Sequence, residues 1–336
     1  MRGSTKRTRA SPRANPCEPT WRLPRGRSLP SLSLVSERVI DVRDLKKSYD
    51  DVEAVKGISF HVDHGEVFAL LGPNGAGKTT TTEILEGFRA RSGGDCLVLG
   101  HDPARRERAL RERIGIVLQS TGIDPFLTVR ESIDMYSGYY PKRLETDHVI
   151  DVVGLTEKRD TRVNKLSGGQ QRRLDVAVGL SGDPELLFLD EPTTGFDPNA
   201  RRNAWEIVKN LTALGKTVFL TTHFMDEAQY LADRVAVIAR GEIVAEGTPD
   251  TIAGRDRMTP RIRVRVPDGA DPPPGQGPVD ADGMLEINTA DPTRVLHELT
   301  GWALDHGYGF SSIAVERPSL EDIYLEITGG AEDVVV

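Results

Sequence analysis

The 336-residue chain has only two cysteines, Cys17 and Cys96. Two cysteines cannot form the disulfide framework of small secreted domains, so we expect a reducing, cytoplasmic environment. The sequence also lacks any apolar stretch close to the roughly 20 residues that a membrane-spanning helix needs. Its strongest apolar runs, such as Val67–Leu71 and Leu186–Leu189, have the length of strands. We therefore expect no direct insertion into a membrane.

Apolar residues are otherwise plentiful. The composition is 38% hydrophobic and 28% charged, which excludes a chain disordered throughout because enough apolar surface exists to build a core. The length allows two domains, since one domain typically takes roughly 100–200 residues. The formal net charge of −8 argues against a general nucleic-acid-binding protein.

That charge is unevenly distributed. Residues 1–36 hold seven Arg and one Lys against one Glu, so the remaining 300 residues carry −15. The basic segment is rich in Pro and Ser and has no apolar region of about 7–15 residues after its charges, which disfavours a secretory signal. A transit peptide and a basic arm for anionic lipid or nucleic acid remain alternatives. We favour a disordered leader, or translation from an upstream start codon.

From residue 37 onward, short apolar stretches alternate with helical patterns. This alternation predicts an α/β fold with a mostly parallel sheet, preceded by some antiparallel strands. The predicted strands are Val39–Val42, Ile58–Val62, Val67–Leu71, Ile114–Leu118, Leu186–Leu189, Val218–Leu220 and Val235–Ile238, and the predicted helices include Thr79–Phe88, Gln170–Leu180 and Ala200–Leu214.

The composition changes near residues 252–260, and the segment from Asp268 to Pro278 is rich in Pro and Gly, which is typical of a long exposed loop. We predict a small α+β domain over residues 256–330, followed by a short tail at 331–336. Its predicted strands are Arg261–Val266, Met284–Asn288 and Ser312–Val315, and its predicted helices are Asp291–His306 and Ser319–Thr328.

A phosphate-binding loop follows the apolar strand at Val67–Leu71. Its residues are Gly72, Pro73, Asn74, Gly75, Ala76, Gly77, Lys78, Thr79 and Thr80. Glycines let successive backbone N–H groups converge on phosphate oxygens, and the N-terminus of the next helix adds positive potential. In this strand-to-helix context, Lys78 is expected to reach the β- and γ-phosphates and the Thr79 hydroxyl to ligate Mg²⁺.

Two carboxylates, Asp190 and Glu191, follow the run Leu186–Leu189. Four consecutive apolar residues indicate a central strand buried on both faces, and ligands bind at the carboxyl ends of such strands. We expect Asp190 to hold Mg²⁺ through water, and Glu191 to orient and deprotonate the attacking water.

A third motif decides between families of phosphate-loop proteins. Ser167 is a good N-cap for an apolar helix, and the glycines after it leave backbone N–H groups exposed, so this end is a second candidate anion site. About 20 residues before the acidic strand, the motif resembles the signature of the ATP-binding cassette (ABC) family. Its residues are Leu166, Ser167, Gly168, Gly169 and Gln170.

Four further residues match motifs of that family in order and spacing. Tyr49 corresponds to the aromatic residue that stacks on adenine, and Gln119 to the glutamine that contacts Mg²⁺ and faces the membrane partner. Asp197 lies in the loop that crosses between two ATPase subunits, and His223 matches the switch histidine that senses the γ-phosphate. Phe196 is a departure, because leucine is usual there.

The resemblance implies an ATPase with a phosphate-loop α/β fold over residues 37–255, including an antiparallel β subdomain and a helical subdomain. It assigns catalysis to Lys78, Gln119, Glu191 and His223. It assigns Mg²⁺ to Thr79, Gln119 and Asp190. Two such domains dimerise head to tail around ATP, so a homodimer, or a pair with another ABC ATPase, is expected. A separate transmembrane permease would be the partner.

The segment Pro318–Gly329 is similar to the end of bacterial daunorubicin-resistance-type (ABC-2) export ATPases. This similarity implies drug, antibiotic or lipid-like export from the cytoplasmic face of the membrane. From their spacing, Leu320, Ile323, Tyr324 and Ile327 are expected to pack as one apolar helix face onto the C-terminal domain itself.

Two other functions stay open. A soluble ABC ATPase acting on ribosomes or DNA usually has two cassettes or a long coiled-coil insertion, and neither is present in this sequence. A regulatory module that binds ATP without turnover is disfavoured by Lys78, Glu191 and His223.

Overall fold

The computed structural model describes residues 38–117, 122–267, 270, 277–280 and 282–328. The predicted leader at 1–36, the tail at 331–336 and most of the Pro/Gly-rich loop lie outside these residues. The strands are β1 (Arg38–Tyr49), β2 (Val52–Asp63), β3 (Val67–Leu71), β4 (Gly93–Val98), β5 (Ile114–Val117), β6 (Leu186–Asp190), β7 (Thr217–Thr222), β8 (Arg234–Ala239), β9 (Glu242–Gly247), β10 (Arg261–Arg265), β11 (Met284–Asn288) and β12 (Ile313–Glu316). The α-helices are α1 (Lys78–Leu85), α2 (Arg108–Arg111), α3 (Val129–Ser137), α4 (Thr146–Val152), α5 (Gly168–Leu180), α6 (Pro198–Ala213), α7 (Met225–Leu231), α8 (Pro292–Asp305) and α9 (Leu320–Thr328).

The central feature is a six-stranded sheet with the strand order β5-β6-β7-β3-β8-β9. Its neighbours pair in parallel except β9, which runs antiparallel to β8. Strands β3 and β7 are buried along their whole length and β6 nearly so, as expected for parallel strands covered on both faces. The predicted mostly parallel α/β fold is therefore confirmed.

Alternate residues of this sheet build two separate cores, because successive strand side chains point to opposite faces. On one face, Phe68 and Phe219 stack with Phe60 of β2, with ring centroids 5.3–6.1 Å apart. An antiparallel sheet of order β2-β1-β4 shares this core, and Ile84 and Leu85 of α1 join it. The predicted antiparallel β subdomain is confirmed.

The opposite face of the sheet packs against the helices. Buried residues of α3, α4, α5, α6 and α7 share this second core with Leu187 and Leu220 of the sheet. The helix α3 begins with a capping box, in which Thr128 and Glu131 satisfy each other's backbone N–H groups. Within the described residues, none of the helices combines the length and apolar character needed to cross a membrane.

The C-terminal region forms a small antiparallel sheet of order β11-β10-β12. Its own core is made by Ile262 and Val264 of β10, Leu285 of β11 and Leu299 of α8. Helix α8 begins where Asp291 accepts a hydrogen bond from the Arg294 N–H, and Pro292 occupies its first turn. The predicted α+β arrangement is thus present.

Helix α9 does not pack where the sequence pattern placed it. We expected its apolar face to cover the C-terminal domain, and this expectation is wrong for Leu320, Ile323 and Tyr324, which belong to the helix-side core of the large sheet. The buried Arg255 holds the chain at this point by donating to the carbonyl oxygens of Pro318 (2.7 Å) and Pro249 (2.6 Å). Amphipathic spacing identifies a buried face but not the core that receives it, and the prediction for Ile327 lies outside the described side chains.

Candidate nucleotide-binding and hydrolysis site

The phosphate loop runs from the end of β3 to the start of α1. Gly77 is the N-cap of α1 with φ of +106°, and no side chain caps this helix. A Cβ atom at Gly77 would lie 2.7 Å from the Ala54 oxygen, and one at Gly72 would lie 2.2 Å from the Ile238 oxygen. Both positions therefore require glycine. The uncapped first turn leaves backbone N–H groups directed at the loop, where an anion is favoured.

Lys78 lies inside this loop, with only 4% of its surface exposed. Its Nζ donates hydrogen bonds to the Gly72 oxygen (2.7 Å) and the Pro73 oxygen (3.1 Å). It also lies 3.3 Å from Oε1 of Glu191. Burial lowers the pKa of Lys78, against the opposing effect of Glu191 and Asp190. The ammonium group is thus fixed at the loop by two carbonyl oxygens and a carboxylate.

Glu191 has an unusual backbone for a residue with a side chain, with φ of +44°. Its N–H donates to the backbone oxygen and to Oγ1 of Thr221, both at 3.1 Å. Its Oε1 lies 3.3 Å from Nζ of Lys78 and 3.3 Å from Nδ1 of His223, and its Oε2 accepts a hydrogen bond from Thr194. Left-handed non-glycine residues are uncommon and cluster at functional sites.

The electrostatics keep the Glu191 carboxyl ionised. Burial raises its pKa, but Lys78 and His223 outweigh burial, and the pKa lies below its ordinary value. An ionised carboxylate can accept a proton or hydrogen bond from a water molecule, which is the chemistry of a general base. The structure therefore brings together the predicted residues Lys78, Glu191 and His223.

Asp190, at the end of β6, is oriented by Thr221, whose hydroxyl donates to Oδ1 at 2.5 Å. Thr79 is exposed in the first turn of α1. No group of three or more His, Cys, Asp and Glu side chains that could hold a metal occurs in the described parts of the chain. One carboxylate and one hydroxyl fit Mg²⁺, which usually takes one or two protein ligands and completes its shell with water and substrate phosphates. Gln119, the other predicted ligand, lies in the stretch 118–121 outside the described residues.

The signature residues form a different kind of helix end. Ser167 caps α5 by accepting from the Gln170 N–H at 3.3 Å, and the Gln170 side chain accepts from the Ser167 N–H at 3.0 Å. Leu166 is buried. A Cβ atom at Gly168 would meet nothing within 4 Å, and one at Gly169 would meet only Ala200 at 3.7 Å.

The signature and the phosphate loop are not joined within the chain. In the part of the chain that the structure describes, no hydrogen bond or ion pair links residues 166–170 to residues 72–80. The signature instead shares a cavity of about 670 Å³ with Asp197, the N-cap of α6. Asp197 accepts hydrogen bonds from the N–H groups of Asn199 and Ala200, both at 2.9 Å.

Tyr49 ends β1 and is partly exposed. The Lys47 ammonium lies 4.8 Å and the Arg89 guanidinium 5.1 Å from the centre of its ring. Cations at this distance are attracted to an aromatic face. The stacking of adenine on Tyr49 stays a prediction, and the ring is accessible enough to allow it.

Comparison with known proteins identifies the family. Residues 55–194 match the ABC transporter family, and residues 260–319 match the C-terminal domain of ABC transporter domain-containing proteins. A Nod factor export ATP-binding protein I from Paraburkholderia xenovorans is 43% identical over 237 residues, covering 69% of this chain and 78% of the relative. The chain belongs to the ABC transporter family. It is an ABC ATPase, an enzyme that binds and hydrolyses ATP.

Further relatives and solved structures agree with this assignment. A daunorubicin resistance ATP-binding protein from Streptomyces coeruleorubidus is 37% identical over 302 residues, covering 85% of this chain and 93% of the relative. The structure of an ABC transporter component (cbiO1) from Clostridium perfringens is 31% identical with a TM-score of 0.56, covering 63% of this chain and 89% of that one. An ATP-binding cassette in its ADP conformation has a TM-score of 0.57 at 23% identity, covering 63% and 92%, and supports the fold alone.

Sequence reasoning missed several polar residues of this ABC ATPase site. Thr221 orients both acidic residues, and its position two residues before His223 was a usable signal. Arg172 of α5 donates to the backbone oxygens of Asp190 (3.1 Å) and Pro192 (3.2 Å), although only its place in the signature helix hinted at this. Burial, with Asp190 and Glu83 nearby, raises the pKa of Glu86 to about 8. Nothing in the sequence pattern marks Glu86.

Proposed function

We propose that this ABC ATPase powers an export transporter. It closes as a dimer on ATP and drives a separate ABC-2-type permease from the cytoplasmic face of the membrane. The relatives named for Nod factor export and daunorubicin resistance support this role. They favour a drug, antibiotic or lipid-like cargo. The chain would then be peripheral to the membrane and held there by its permease.

The position of Glu191 between Lys78 and His223 supports the proposed hydrolytic step. Its lowered pKa and its contacts at 3.3 Å with Lys78 and His223 support a role as the base that orients and deprotonates the attacking water. Lys78 would bind the β- and γ-phosphates, and His223 would contact the γ-phosphate. Adenine would stack on Tyr49.

Magnesium would be held by Thr79 and Asp190, together with Gln119. Its chemistry there is to neutralise phosphate charge that the protein alone does not balance. The hydrogen bond from Thr221 to Asp190 fixes one carboxylate oxygen and leaves the other directed away from that partner.

Dimerisation is supported by a glycine that the fold itself does not explain. Gly168 stands at the first position of α5 in open space, although glycine costs a helix about 1 kcal/mol relative to alanine in its interior. A close external approach would account for a missing side chain. In the proposed head-to-tail dimer, Ser167, Gly168 and Gly169 complete the partner's nucleotide site, and Asp197 lies at the crossing between subunits.

The decisive experiment on hydrolysis is Glu191→Gln. The amide keeps the size of the side chain but cannot take a proton, so steady-state ATPase activity should fall by about 10²–10⁴-fold. ATP binding should survive, and gel filtration with ATP and Mg²⁺ should show a stabilised dimer. Unchanged turnover in this variant would remove Glu191 from the mechanism.

Export is tested separately by co-expressing the chain with an ABC-2-type permease from the same genome. The two should co-purify from membranes, and the pair should lower sensitivity to an exported drug only when Glu191 is intact. Fractionation of the chain with ribosomes or DNA, and not with membranes, would contradict the export role while leaving the ATPase assignment untouched.

A further inference from the structure

Among the side chains that the structure describes, Glu227 is the most deeply buried carboxyl group that the proposed hydrolytic mechanism does not use. It lies on α7 and has 0% of its surface exposed. Burying a carboxyl group costs stability unless hydrogen bonds compensate, so its contacts decide what it does.

One oxygen atom of Glu227 accepts two hydrogen bonds from two other segments. The Thr193 hydroxyl donates to Oε1 at 2.8 Å, and the Trp205 indole Nε1–H donates to the same oxygen at 3.1 Å. Thr193 is 1% exposed. Burial raises the pKa of Glu227, and the hydrogen bonds from Thr193 and Trp205 oppose the rise. Because both donors converge on Oε1, this acceptor oxygen is the feature that its neighbours use.

The two donors come from the acidic segment and from the helix after the dimer loop. Thr193 comes two residues after Glu191. Trp205 lies on α6, the helix that Asp197 caps. Glu227 itself is four residues after His223, in the second half of the first turn of α7. The side chain of Glu227 thus links the switch-histidine segment, to which it belongs, with the acidic segment and with α6.

We propose that Glu227 is a positioning residue for ATP hydrolysis, which holds the segments of Glu191 and His223 in the register that places both side chains on one water and one γ-phosphate. It touches neither substrate nor metal. A misplacement of about 1 Å by a distant mutation can cost about 100-fold in rate, so losing this tie should act on turnover more than on nucleotide affinity.

The test uses the full-length chain and measures kcat and KM for ATP, the dissociation constant of a fluorescent ATP analogue, and the melting temperature. Glu227→Ala removes the acceptor and should lower kcat by about 10–100-fold, with KM and analogue affinity changed less than about threefold. Glu227→Gln keeps an acceptor oxygen and should restore kcat to within about threefold of the wild type. Val98→Ala in β4 removes buried methyl groups from the other core and serves as the control for lost packing.

Milder variants decide the case if Glu227→Ala does not fold. Thr193→Val and Trp205→Phe each remove one donor, and each should lower kcat while the Val98→Ala control keeps it. The double variant should lose less than the product of the two single losses, because both act through one oxygen. Normal kcat in the donor variants, or a Glu227→Gln enzyme as slow as Glu227→Ala, would overturn the proposal.

Discussion

The helices α1 and α5 both begin at glycine-rich segments, yet their N-termini are built in opposite ways. Helix α1 has no side-chain cap, and Gly77 is forced by a backbone oxygen only 2.7 Å from the place of a Cβ atom. Helix α5 is closed by Ser167 and Gln170 in a capping box, and Gly168 faces open space. The chain's own packing explains the glycine of α1 but not that of α5.

Each helix also has one cationic side chain that contacts residues 190–192, where β6 ends. Lys78 of α1 contacts the side chain of Glu191, whereas Arg172 of α5 contacts the backbone oxygens of Asp190 and Pro192. The first contact involves the group that would react, and the second fixes the chain that carries it. We therefore expect α1 to contribute directly to the nucleotide site of its own chain. We expect α5 to support the acidic segment of that site from behind, while its N-terminus is available to a second chain.

The largest expected contrast is between Lys78→Ala and Arg172→Ala. Loss of Lys78 removes a buried cation from the phosphate loop and should weaken ATP binding by about 2–5 kcal/mol, the usual loss when one partner of a hydrogen-bonded charge pair across a binding interface is truncated. Loss of Arg172 should cost about 3–5 kcal/mol of folding stability, because the buried Asp175 carboxylate 3.7 Å away loses its charge partner, while ATP affinity changes little. Calorimetric titration and denaturant unfolding measure the two effects. Similar losses of ATP affinity in both variants would break the contrast.

The two glycines provide a matched pair. Gly77→Ala should destabilise the protein by about 1–3 kcal/mol from backbone strain alone, with further loss from the clash, and should abolish ATP binding. Gly168→Ala should leave the melting temperature equal or slightly higher, because alanine is the better helix residue. It should nonetheless impair ATP-dependent dimerisation of the Glu191→Gln protein, measured by light scattering. Normal dimerisation of that double variant would show that α5 does not face a partner.

The opposite end of α1 predicts a pH effect. Glu86 is its C-cap, with a pKa near 8 in the folded protein against an ordinary value of 4.5. In the unfolded chain, Glu86 loses its proton at a lower pH than in the folded protein. Its contribution to folding stability is therefore complete below about pH 4.5 and is lost as the pH rises toward 8. The stability of Glu86→Gln relative to the wild type should therefore rise by about 3–4 kcal/mol between pH 5 and pH 8. Melting curves in EDTA, without nucleotide, measure this gain, and a constant difference across that range would contradict it.

The smallest effect is expected at the cap of α5. Ser167→Ala breaks one half of the capping box and should cost about 1 kcal/mol, whereas no equivalent substitution exists at the uncapped α1. Ser167→Asp keeps the cap and should match wild-type stability in denaturant unfolding. If Ser167→Ala loses no stability, the hydrogen bond at 3.3 Å does not hold the helix end.

The sequence was most informative where local chemistry and burial coincide. The central strands β3, β6 and β7 could be predicted from their apolar runs, because a strand that is covered on both faces needs apolar side chains along most of its length. The contacts of Lys78 with Glu191 follow from the rule that parallel strands end at one edge. Strand β9 was missed because its residues alternate between exposed and half-buried positions, and α7 because it is only seven residues long. The packing of α9 and the hydrogen bonds from Thr193 and Trp205 to Glu227 join residues far apart in sequence, and no local pattern predicts them.

The placement of α9 has a consequence for synthesis of the protein. Leu320, Ile323 and Tyr324 complete a core that also contains Leu231 of α7, about 90 residues earlier in the chain. Translation at about 5–20 residues per second separates these segments by roughly 5–18 s. During that interval the helix-side core of the ATPase lacks part of its apolar lining. The nascent chain must therefore carry an unfinished core until α9 has been synthesised.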